Sequence, residues 1–352
     1  MYPALSVLQA LGDKVEAVLW VGGRDGMEAE LVQRAGLPFR AVSAAGVHGV
    51  GVRQLPRNVW QLVRGYRQAR GVLWEFRPDV LFFTGGYVAI PMGLAGRRIP
   101  TVLYVPDIEP GLALKALARL ADRIALTAED SAAFFPRHRG LKVTGYPVRT
   151  ELLRWDRARA REHFGLKPDA PVLLVFGGSK GARSINRALL AGLDLLLPRM
   201  QVIHISGRLD WQEVAARRDV LPPALQSRYG VFPYLHEDMG AALAAADLVV
   251  SRAGASVLGE FPVFGLPAVL VPYPYAWRYQ QVNAAYLADR GAARILPDAQ
   301  LETHLVPMTL ALMEDAAERA RMAKAMRSLA RPQAAQEIAA LLTEVARQEV
   351  VG

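Results

Sequence analysis

A strand-like run that passes through glycines into a helix is the feature that most restricts the fold of this chain. The segment from Pro171 to Asn186 reads PVLLVFGGSKGARSIN. Its apolar residues have the composition of a buried strand, and Gly177, Gly178 and Gly181 separate them from a helical pattern. Glycines here let a phosphate approach the free N–H groups of the helix's first turn. The segment predicts an α/β unit with an anion-binding turn, although a strand-to-helix turn without a ligand has the same pattern.

Motifs and composition argue against several classes of protein. The turn lacks the GKS or GKT of a P-loop and the G-x-G-x-x-G of a dinucleotide fold, which weakens ATPase and dehydrogenase interpretations. With no cysteine in 352 residues, the chain has no disulfide, no thiolate metal ligand and no cysteine nucleophile. No amino-terminal pattern is typical of a signal peptide, and no apolar run reaches the roughly 18 residues of a membrane span. These patterns favour a cytosolic protein.

The net charge of +9 is concentrated in the first half of the chain. Residues 1–150 contain 19 Lys and Arg against 12 Asp and Glu, which leaves a surplus of only 2 for the remainder. Nucleic acid, anionic lipid and a phosphorylated substrate all attract a basic surface, and charge alone does not choose among them. Because the basic residues are spread over predicted helices without a nucleic-acid-binding module, we expect no nucleic-acid partner.

Strand patterns alternate with helical patterns along the whole chain. In the first half, strands are predicted at 15–22, 79–83, 100–105 and 123–126, and helices at 27–35, 59–76 and 112–121. After a polar stretch at 155–170, further strands are predicted at 172–176, 201–206, 230–232, 248–251 and 268–272, and final helices at 310–329 and 333–348. Such alternation predicts doubly wound parallel sheets. We therefore predict domains at 1–147 and 148–332, with segment 333–352 able to cross back to the first.

The beginning of the chain departs from a doubly wound domain. Met1-Tyr2-Pro3-Ala4-Leu5 leads directly into a predicted helix, with no strand before it. A doubly wound domain usually opens with a β-strand and a turn. We expect the first domain to lack this strand, either because the native start lies upstream or because the chain is a truncated paralogue.

A second strand and glycine turn lies at 249–256 and is followed by Glu260. A carboxylate one or two turns into such a helix can accept both hydroxyls of a ribose, and a surface glutamate is the alternative. The loop after the next strand reads PYPY at 272–275 and leads to Gln280. Its amide can hold sugar hydroxyls, whereas a solvated helix start is the simpler interpretation.

Six motifs follow one another in order over nearly the whole chain. They are YPAL at 2–5, FFTGGYVAIP at 82–91, GYPVRTEL at 145–152, GGSKGARSIN at 177–186, RAGASVLGE at 252–260, and PYPYA with QQVN at 272–283. Together they resemble the MurG family, the bacterial transferases that move N-acetylglucosamine (GlcNAc) from UDP-GlcNAc to lipid I and form lipid II for peptidoglycan. The resemblance implies a GT-B fold of two Rossmann-like domains facing a cleft, without metal or cofactor. It also implies that UDP-GlcNAc binds the C-terminal domain and the lipid-linked acceptor binds the N-terminal one.

The resemblance also assigns the donor site residue by residue. The implied UDP-GlcNAc residues are Arg149, Gly178, Ser179, Gly181, Asn186, Leu235, Met239, Arg252, Ala255, Glu260 and Gln280. Ser179 and the amides of Gly178 and Gly181 are expected to face the diphosphate. Glu260 is expected to bind the ribose and Gln280 the GlcNAc hydroxyls. The remaining roles are contact with the nucleotide for Arg149 and backbone recognition of uracil for Leu235.

The acceptor side departs from the family pattern in two places. The family's GGTGGH loop before YPAL is absent from this sequence, and its HEQN segment is here Tyr104-Val105-Pro106-Asp107. Asp107 becomes the candidate catalytic or acceptor-binding carboxylate, and a structural Pro-Asp turn is the alternative. The changed segment leaves open a related GT-B transferase with another lipid or glycan acceptor. The absent loop leaves open a non-catalytic UDP-sugar binder.

The predicted helix at 56–76 combines arginines with an apolar stripe at every third position. Cations beside such a stripe suit anionic headgroups, and the family's corresponding region is a hydrophobic patch proposed to sit on the membrane. A helix half-buried against its own sheet explains the same residues. We expect a peripheral protein on the cytoplasmic face of the membrane. The implied acceptor and membrane residues are Trp60, Val63, Tyr66, Gly85, Gly86 and Tyr87.

Overall fold

The structure is a computed structural model that describes residues 1–23, 28–44, 55–178, 181–275 and 278–348. The chain divides into two compact units, one formed by residues 1–147 with 333–352 and the other by residues 148–332. Every strand pair in both units is parallel among the described residues. Helices connect these strands, which confirms the predicted α/β fold class.

Among its described residues, the first unit has six strands in two parallel sheets. The strands are β1 (Trp20–Gly22), β2 (Phe39–Ala41), β3 (Leu81–Phe83), β4 (Thr101–Val105), β5 (Arg123–Leu126) and β6 (Leu141–Val143), and the helices between them are α1 (Tyr2–Leu11), α2 (Glu28–Arg34), α3 (Leu55–Phe76), α4 (Ala89–Ala95) and α5 (Leu112–Leu117). One sheet is β1-β2 and the other is β3-β4-β5-β6. In a complete doubly wound sheet, the first strand lies between the second and the fourth, which correspond to β1 and β3 of this unit. Within the described ranges, β1 pairs with β2 and β3 with β4.

In the described part of the second unit, the strands form one six-stranded sheet. Its strands are β7 (Val172–Phe176), β8 (Gln201–Ile205), β9 (Tyr229–Phe232), β10 (Leu248–Ser251), β11 (Ala268–Leu270) and β12 (Ala293–Ile295). Its helices are α6 (Arg157–His163), α7 (Arg183–Leu196), α8 (Trp211–Asp219), α9 (Pro223–Gln226), α10 (Met239–Ala245), α11 (Val257–Phe264), α12 (Tyr279–Asp289), α13 (Leu301–Glu314) and α14 (Ala316–Ser328). The strand order is β12-β11-β10-β7-β8-β9, the full doubly wound order. Strands β7 and β10 are therefore neighbours although the chain separates them.

The last helix, α15 (Ala334–Gln348), belongs to the first unit, where it packs against α1. Ile338 and Leu342 on α15 are buried, as is Val7 on α1. An ion pair of 3.1 Å also joins Glu344 to Arg123 at the start of β5. Apolar burial and this ion pair together hold the carboxyl-terminal helix in the unit that the chain left near residue 147.

Several element boundaries differ from the sequence expectations. The polar stretch at 155–170 contains α6, which Asp156 caps by accepting a hydrogen bond from the amide of Arg159. The helix expected at 310–329 is two helices, because Asp315 ends α13 and caps α14 through the amide of Glu318. Strands β2, β6 and β12 were not anticipated, and each has only three residues. The strand expected at 15–22 pairs only from Trp20 onward.

Helix α3 supplies a test of packing in the first unit. An added Cβ on Gly65 would lie 1.9 Å from the carbonyl oxygen of Ser43, whereas a Cβ on Gly71 of the same helix would meet no atom within 4 Å. We expect Gly65→Ala to lower the free energy of unfolding by about 1–3 kcal/mol through overpacking. Gly71→Ala should raise it by about 0.5–1 kcal/mol, because alanine is the better helix former. Chemical denaturation measures both, and equal stability of the two variants would contradict this packing.

Candidate active site

Two glycine turns open side by side in the second unit. Phe176 ends β7, Ser251 ends β10, and the two residues are partners in the parallel register. Residues 177–182 connect β7 to α7, and residues 252–256 connect β10 to α11. In doubly wound sheets, ligands bind at the carboxyl ends of the strands where the order reverses. Since β7 and β10 meet at this point, the structure brings the two predicted turns together.

The geometry of the first turn requires glycine at several positions. A Cβ on Gly177 would lie 2.3 Å from the backbone nitrogen of Ala182. Gly178 and Gly181 have φ angles of +90° and +76°, which residues other than glycine rarely adopt. The amide of Gly181 donates to the carbonyl of Gly178 at 2.9 Å, so this amide is engaged within the turn and not directed at a diphosphate as expected. Ser179 lies outside the described residues.

Glu260 lies in the first turn of α11 and has an unusual environment for a glutamate. Its side chain is partly buried, and burial raises the pKa of Glu260 from 4.5 to about 7. The positive charge of Arg149 and a hydrogen bond from Ser256 act in the opposite direction. Arg149, Ser256 and Glu260 are therefore brought together. A solvated surface glutamate would not be surrounded in this way.

Arg252 has a structural position that the sequence did not indicate. Its guanidinium donates to Asp298 at 2.5 Å, to the hydroxyl of Ser184 at 2.8 Å and to the carbonyl of Val271 at 3.2 Å. It also lies 5.2 Å from the ring centre of Tyr273. These contacts pair the charge within the unit and tie the turn after β10 to the start of α7, and the role of Arg252 in donor binding stays a prediction. Ala255, in the same turn, is partly exposed.

Gln280 anchors the aromatic loop that follows β11. Its side-chain oxygen accepts a hydrogen bond of 2.9 Å from the amide of Tyr273. The rings of Tyr273 and Tyr275 are exposed and lie edge to face, with centres 5.6 Å apart. Gln280 thus fixes the loop at Tyr273, which lies beside Arg252 in the turn after β10.

Leu235 and Met239 both follow β9, the strand at the end of the sheet order. Leu235 is partly exposed in the loop after β9, and Met239 is the buried first residue of α10. Strand β9 is the outermost strand, with β8 between it and β7. Leu235 therefore follows a strand that lies two positions from β7, whereas Met239 begins α10, a helix that contacts both β7 and α11.

Asn186 is the clearest correction to the predicted binding set. Its side chain is 1% exposed and makes hydrogen bonds to His204, Asp210 and the carbonyl of Ser206. A buried amide with these partners has no free group for a ligand. His204 and Asp210 were not singled out from the sequence, because a lone His in a strand and a lone Asp in a loop have no distinctive pattern.

In the first unit, the structure brings the predicted acceptor residues to one edge of a sheet. Gly85 and Gly86, with φ angles of +115° and +88°, and the exposed Tyr87 follow β3. Asp107 follows β4, the parallel neighbour of β3. Nearby Glu109 is 4% exposed and pairs with Lys115 at 3.4 Å.

Helix α3 directs its predicted apolar stripe away from the core. Trp60, Val63 and Tyr66 are 60%, 47% and 37% exposed, whereas Ala69 and Leu73 are buried. The alternative in which the stripe packs on the sheet is therefore wrong for these three side chains. In the part of the chain that the structure describes, no helix has the length and apolar content needed to cross a membrane.

Comparison with known proteins finds related domains and a related structure over nearly the whole chain. The N-terminal domain of glycosyltransferase family 28 matches residues 1–126, and the C-terminal domain of that family matches residues 172–338. A crystal structure of MurG from Acinetobacter baumannii superposes with a TM-score of 0.75 at 26% identity, covering 97% of this chain and 95% of that one. This neighbour confirms the predicted GT-B fold.

Two curated relatives carry the same name, UDP-N-acetylglucosamine–N-acetylmuramyl-(pentapeptide) pyrophosphoryl-undecaprenol N-acetylglucosamine transferase. The protein from Roseiflexus sp. (strain RS-1) is 45% identical, covering 93% of this chain and 83% of the relative. The protein from Desulforamulus reducens is 39% identical, covering 96% and 93%. On the matched domains and these full-length similarities, the chain belongs to the MurG family of glycosyltransferase family 28.

Proposed function

We propose that this protein transfers GlcNAc from UDP-GlcNAc to lipid I and forms lipid II for peptidoglycan synthesis. The observation that carries the proposal is the pair of glycine turns at the β7–β10 junction, with Glu260 and Arg149 beside the second turn. The names of the full-length relatives support the same reaction. We also propose that the second unit holds the donor and the first unit the acceptor.

The donor site uses different groups for each part of UDP-GlcNAc. The turn at 177–181 and the amino-terminal end of α7 suit the diphosphate, because a helix dipole stabilises negative charge there. The carboxylate of Glu260 suits the paired hydroxyls of ribose, and the side chain of Gln280 suits those of the sugar. Arg149 adds positive charge next to Glu260.

The chemistry is an inverting displacement at the anomeric carbon. The acceptor hydroxyl attacks C1 of GlcNAc, and the bond between C1 and the diphosphate oxygen breaks with its electron pair leaving on UDP. The turn at 177–181 and the start of α7 stabilise the negative charge that grows on the leaving diphosphate. The hydroxyl proton passes to a base, for which we propose the carboxylate of Asp107. Tyr104 is unsuited to this role, because its ring is fully buried and burial raises its pKa well above 10.

A second candidate function differs only in the acceptor. Tyr104 is buried, with its hydroxyl 2.8 Å from that of Thr127, at the position where the family has the first residue of HEQN. Replacement of a polar histidine by this buried phenol changes the chemistry of the acceptor side. This observation favours a related GT-B transferase with another lipid or glycan acceptor as the alternative.

Transfer of labelled GlcNAc from UDP-GlcNAc to a lipid I analogue tests the proposed function. We expect a labelled disaccharide product and one UDP released for each product. Asp107→Asn should retain UDP-GlcNAc binding and lose transfer. UDP-GlcNAc binding without transfer to lipid I, but with transfer to another polyprenyl-diphospho-sugar, would support the second candidate. Binding without transfer to any acceptor would support a non-catalytic binder.

We further propose that the exposed α3 stripe holds the protein on the cytoplasmic membrane surface. Trp60 and Val63 are exposed beside arginines of the same helix, and the guanidinium of Arg64 lies 5.7 Å from the ring centre of Trp60. Apolar side chains next to cations suit an interface of anionic lipid.

Vesicle binding measures this surface directly. With vesicles of phosphatidylglycerol and phosphatidylethanolamine, the double variant Trp60→Ser, Val63→Ser should bind about 10-fold or more weakly, because it removes two apolar groups from the interface. Leu195→Ser is the matched control, since Leu195 is 55% exposed on the second unit. Equal vesicle binding by both variants would contradict membrane contact through α3.

A further inference from the structure

A series of buried polar side chains, joined by hydrogen bonds, lies next to the glycine turn that follows β7. The hydroxyl of Tyr229 on β9 lies 2.7 Å from Nδ1 of His204 on β8, and Nε2 of His204 lies 3.0 Å from Oδ1 of Asn186 on α7. The side-chain nitrogen of Asn186 then lies 2.8 Å from both the carbonyl of Ser206 and Oδ2 of Asp210. Tyr229, His204 and Asn186 are each at most 1% exposed.

The direction of each hydrogen bond follows from the chemistry of its atoms. Burial lowers the pKa of His204 to about 3, so its ring is neutral and carries one N–H. Because Oδ1 of Asn186 can only accept, Nε2 of His204 carries the proton and Nδ1 accepts from the hydroxyl of Tyr229. Both hydrogens of the Asn186 amide then point to oxygen acceptors. The three partners leave one orientation for this amide.

The Asn186 end of this hydrogen-bonded series contacts the glycine turn after β7. The carbonyl oxygen of Ser206, which accepts from Asn186, would lie 2.4 Å from a Cβ on Gly181. Gly181 thus packs directly on the peptide that Asn186 holds. On the other side, Oδ1 of Asp210 accepts from Nε of Arg183, the first residue of α7, at 2.8 Å. The Asn186 amide is therefore connected to Gly181 in the turn through Ser206, and to Arg183 at the start of α7 through Asp210.

We propose that Asn186 is a positioning residue for the diphosphate-binding turn and that His204 and Tyr229 hold its amide in the required orientation. Asn186 acts through Ser206 on Gly181 and touches no substrate itself. This inference rests on the proposed function, because it takes the turn after β7 to bind the diphosphate of UDP-GlcNAc. A chain of hydrogen bonds in a dry interior is stiffer than its separate members, which suits a group that must not move as charge develops.

A matched control exists on the same strand. Gln201, the first residue of β8, is 2% exposed, and its amide bridges the backbone N–H and C=O of Lys167 at 2.8 and 3.1 Å. Gln201→Ala removes a buried amide at the end of β8 opposite the glycine turn. The loss of buried hydrogen bonds should lower the melting temperature of Gln201→Ala and of Asn186→Ala alike.

The experiment compares UDP affinity and transfer kinetics of the two variants at a temperature where circular dichroism shows both folded. Asn186→Ala should lower kcat and weaken UDP binding by about 10- to 100-fold, with the KM for the lipid I analogue unchanged. Gln201→Ala should keep wild-type kcat and UDP affinity. If Asn186→Ala does not fold, His204→Leu should lose kcat and His204→Gln, which can still donate to Asn186, should restore most of it.

Two results would overturn the inference, and they are distinguishable. Wild-type kcat and UDP affinity in Asn186→Ala, or in His204→Leu, would make the hydrogen-bonded series a structural element only. A wild-type protein that neither binds UDP nor transfers GlcNAc would instead contradict the proposed function, and the positioning role would be lost with it.

Discussion

Glu260→Gln is expected to weaken UDP-GlcNAc binding by about 1–3 kcal/mol while making the folded protein more stable above neutral pH. The carboxylate can accept both ribose hydroxyls, whereas the amide of glutamine offers one acceptor oxygen. The same carboxylate is costly in the free protein, because burial raises the pKa of Glu260 to about 7. Binding and stability should therefore change in opposite directions at this one residue.

The sign of the stability effect follows from proton binding. Between pH 4.5 and about 7, the folded state retains a proton that the unfolded state has released, so stability falls as pH rises through this window. Above pH 7 both states are ionised, and the wild type has lost about 3 kcal/mol relative to pH 4 through this group. Glu260→Gln has no such loss. Its advantage over the wild type should be absent near pH 4 and largest above pH 7.

Donor affinity should show the opposite dependence on pH. Since ribose hydroxyls donate to the ionised carboxylate, UDP-GlcNAc binding lowers the pKa of Glu260 and releases a proton below pH 7. Wild-type affinity should rise up to about pH 7 and then level off. Calorimetry in buffers of different ionisation enthalpy measures the released proton. Glu213→Gln is the control, because Glu213 is exposed on α8. Identical pH profiles of UDP-GlcNAc affinity for the wild type and Glu260→Gln would contradict the assignment of Glu260 to the ribose.

Gly181→Ala is expected to reduce GlcNAc transfer by about 100-fold or more. The residue has a φ angle of +76°, and its added Cβ would lie 2.4 Å from the carbonyl oxygen of Ser206, a backbone atom fixed by Asn186. The peptide of Ser206 is connected through Asn186 and Asp210 to Arg183 at the start of α7, so we expect relief of this contact to displace the turn or the start of α7. A displacement of about 1 Å in a group that holds the reacting diphosphate costs on the order of 100-fold in rate.

The control for Gly181→Ala separates backbone strain from loss of the site. Gly165 has a φ angle of +63°, follows α6 and has no atom within 4 Å of an added Cβ. Gly165→Ala should cost about 1 kcal/mol of stability, as alanine in a left-handed conformation does, and leave transfer unchanged. Steady-state kinetics and denaturation measure both quantities. Equal transfer by Gly181→Ala and the wild type would contradict the proposed place of the diphosphate.

The sequence predicted the parts of the donor site that depend on local pattern. Apolar runs ending in glycine marked the turns after β7 and β10, and the strands at 172–176 and 248–251 have the predicted boundaries. Register could not be read from these patterns, because the pairing of Phe176 with Ser251 joins residues far apart in sequence. The short strands β2, β6 and β12 were missed since three residues are too few for a period to be recognised.

The residues whose contacts could not be predicted from the sequence are those surrounded by other elements of the fold. Motif position made Asn186 and Arg252 binding candidates, but the structure engages Asn186 with His204 and Asp210. Arg252 pairs with Asp298, which lies 46 residues later. Long-range partners of this kind leave no spacing in the sequence. Only the fold decides whether a polar side chain faces a ligand or another residue.

Amide hydrogen exchange in the presence of UDP tests the central claim, the donor site at the β7–β10 junction, most directly. Saturating UDP should slow exchange in the segments after β7 and β10, at 177–186 and 252–260, because their amides become hydrogen-bonded or buried. The segment at 167–172, at the opposite edge of the sheet, should exchange as before. UDP binding that protects other segments and leaves 177–186 and 252–260 unchanged would contradict the account.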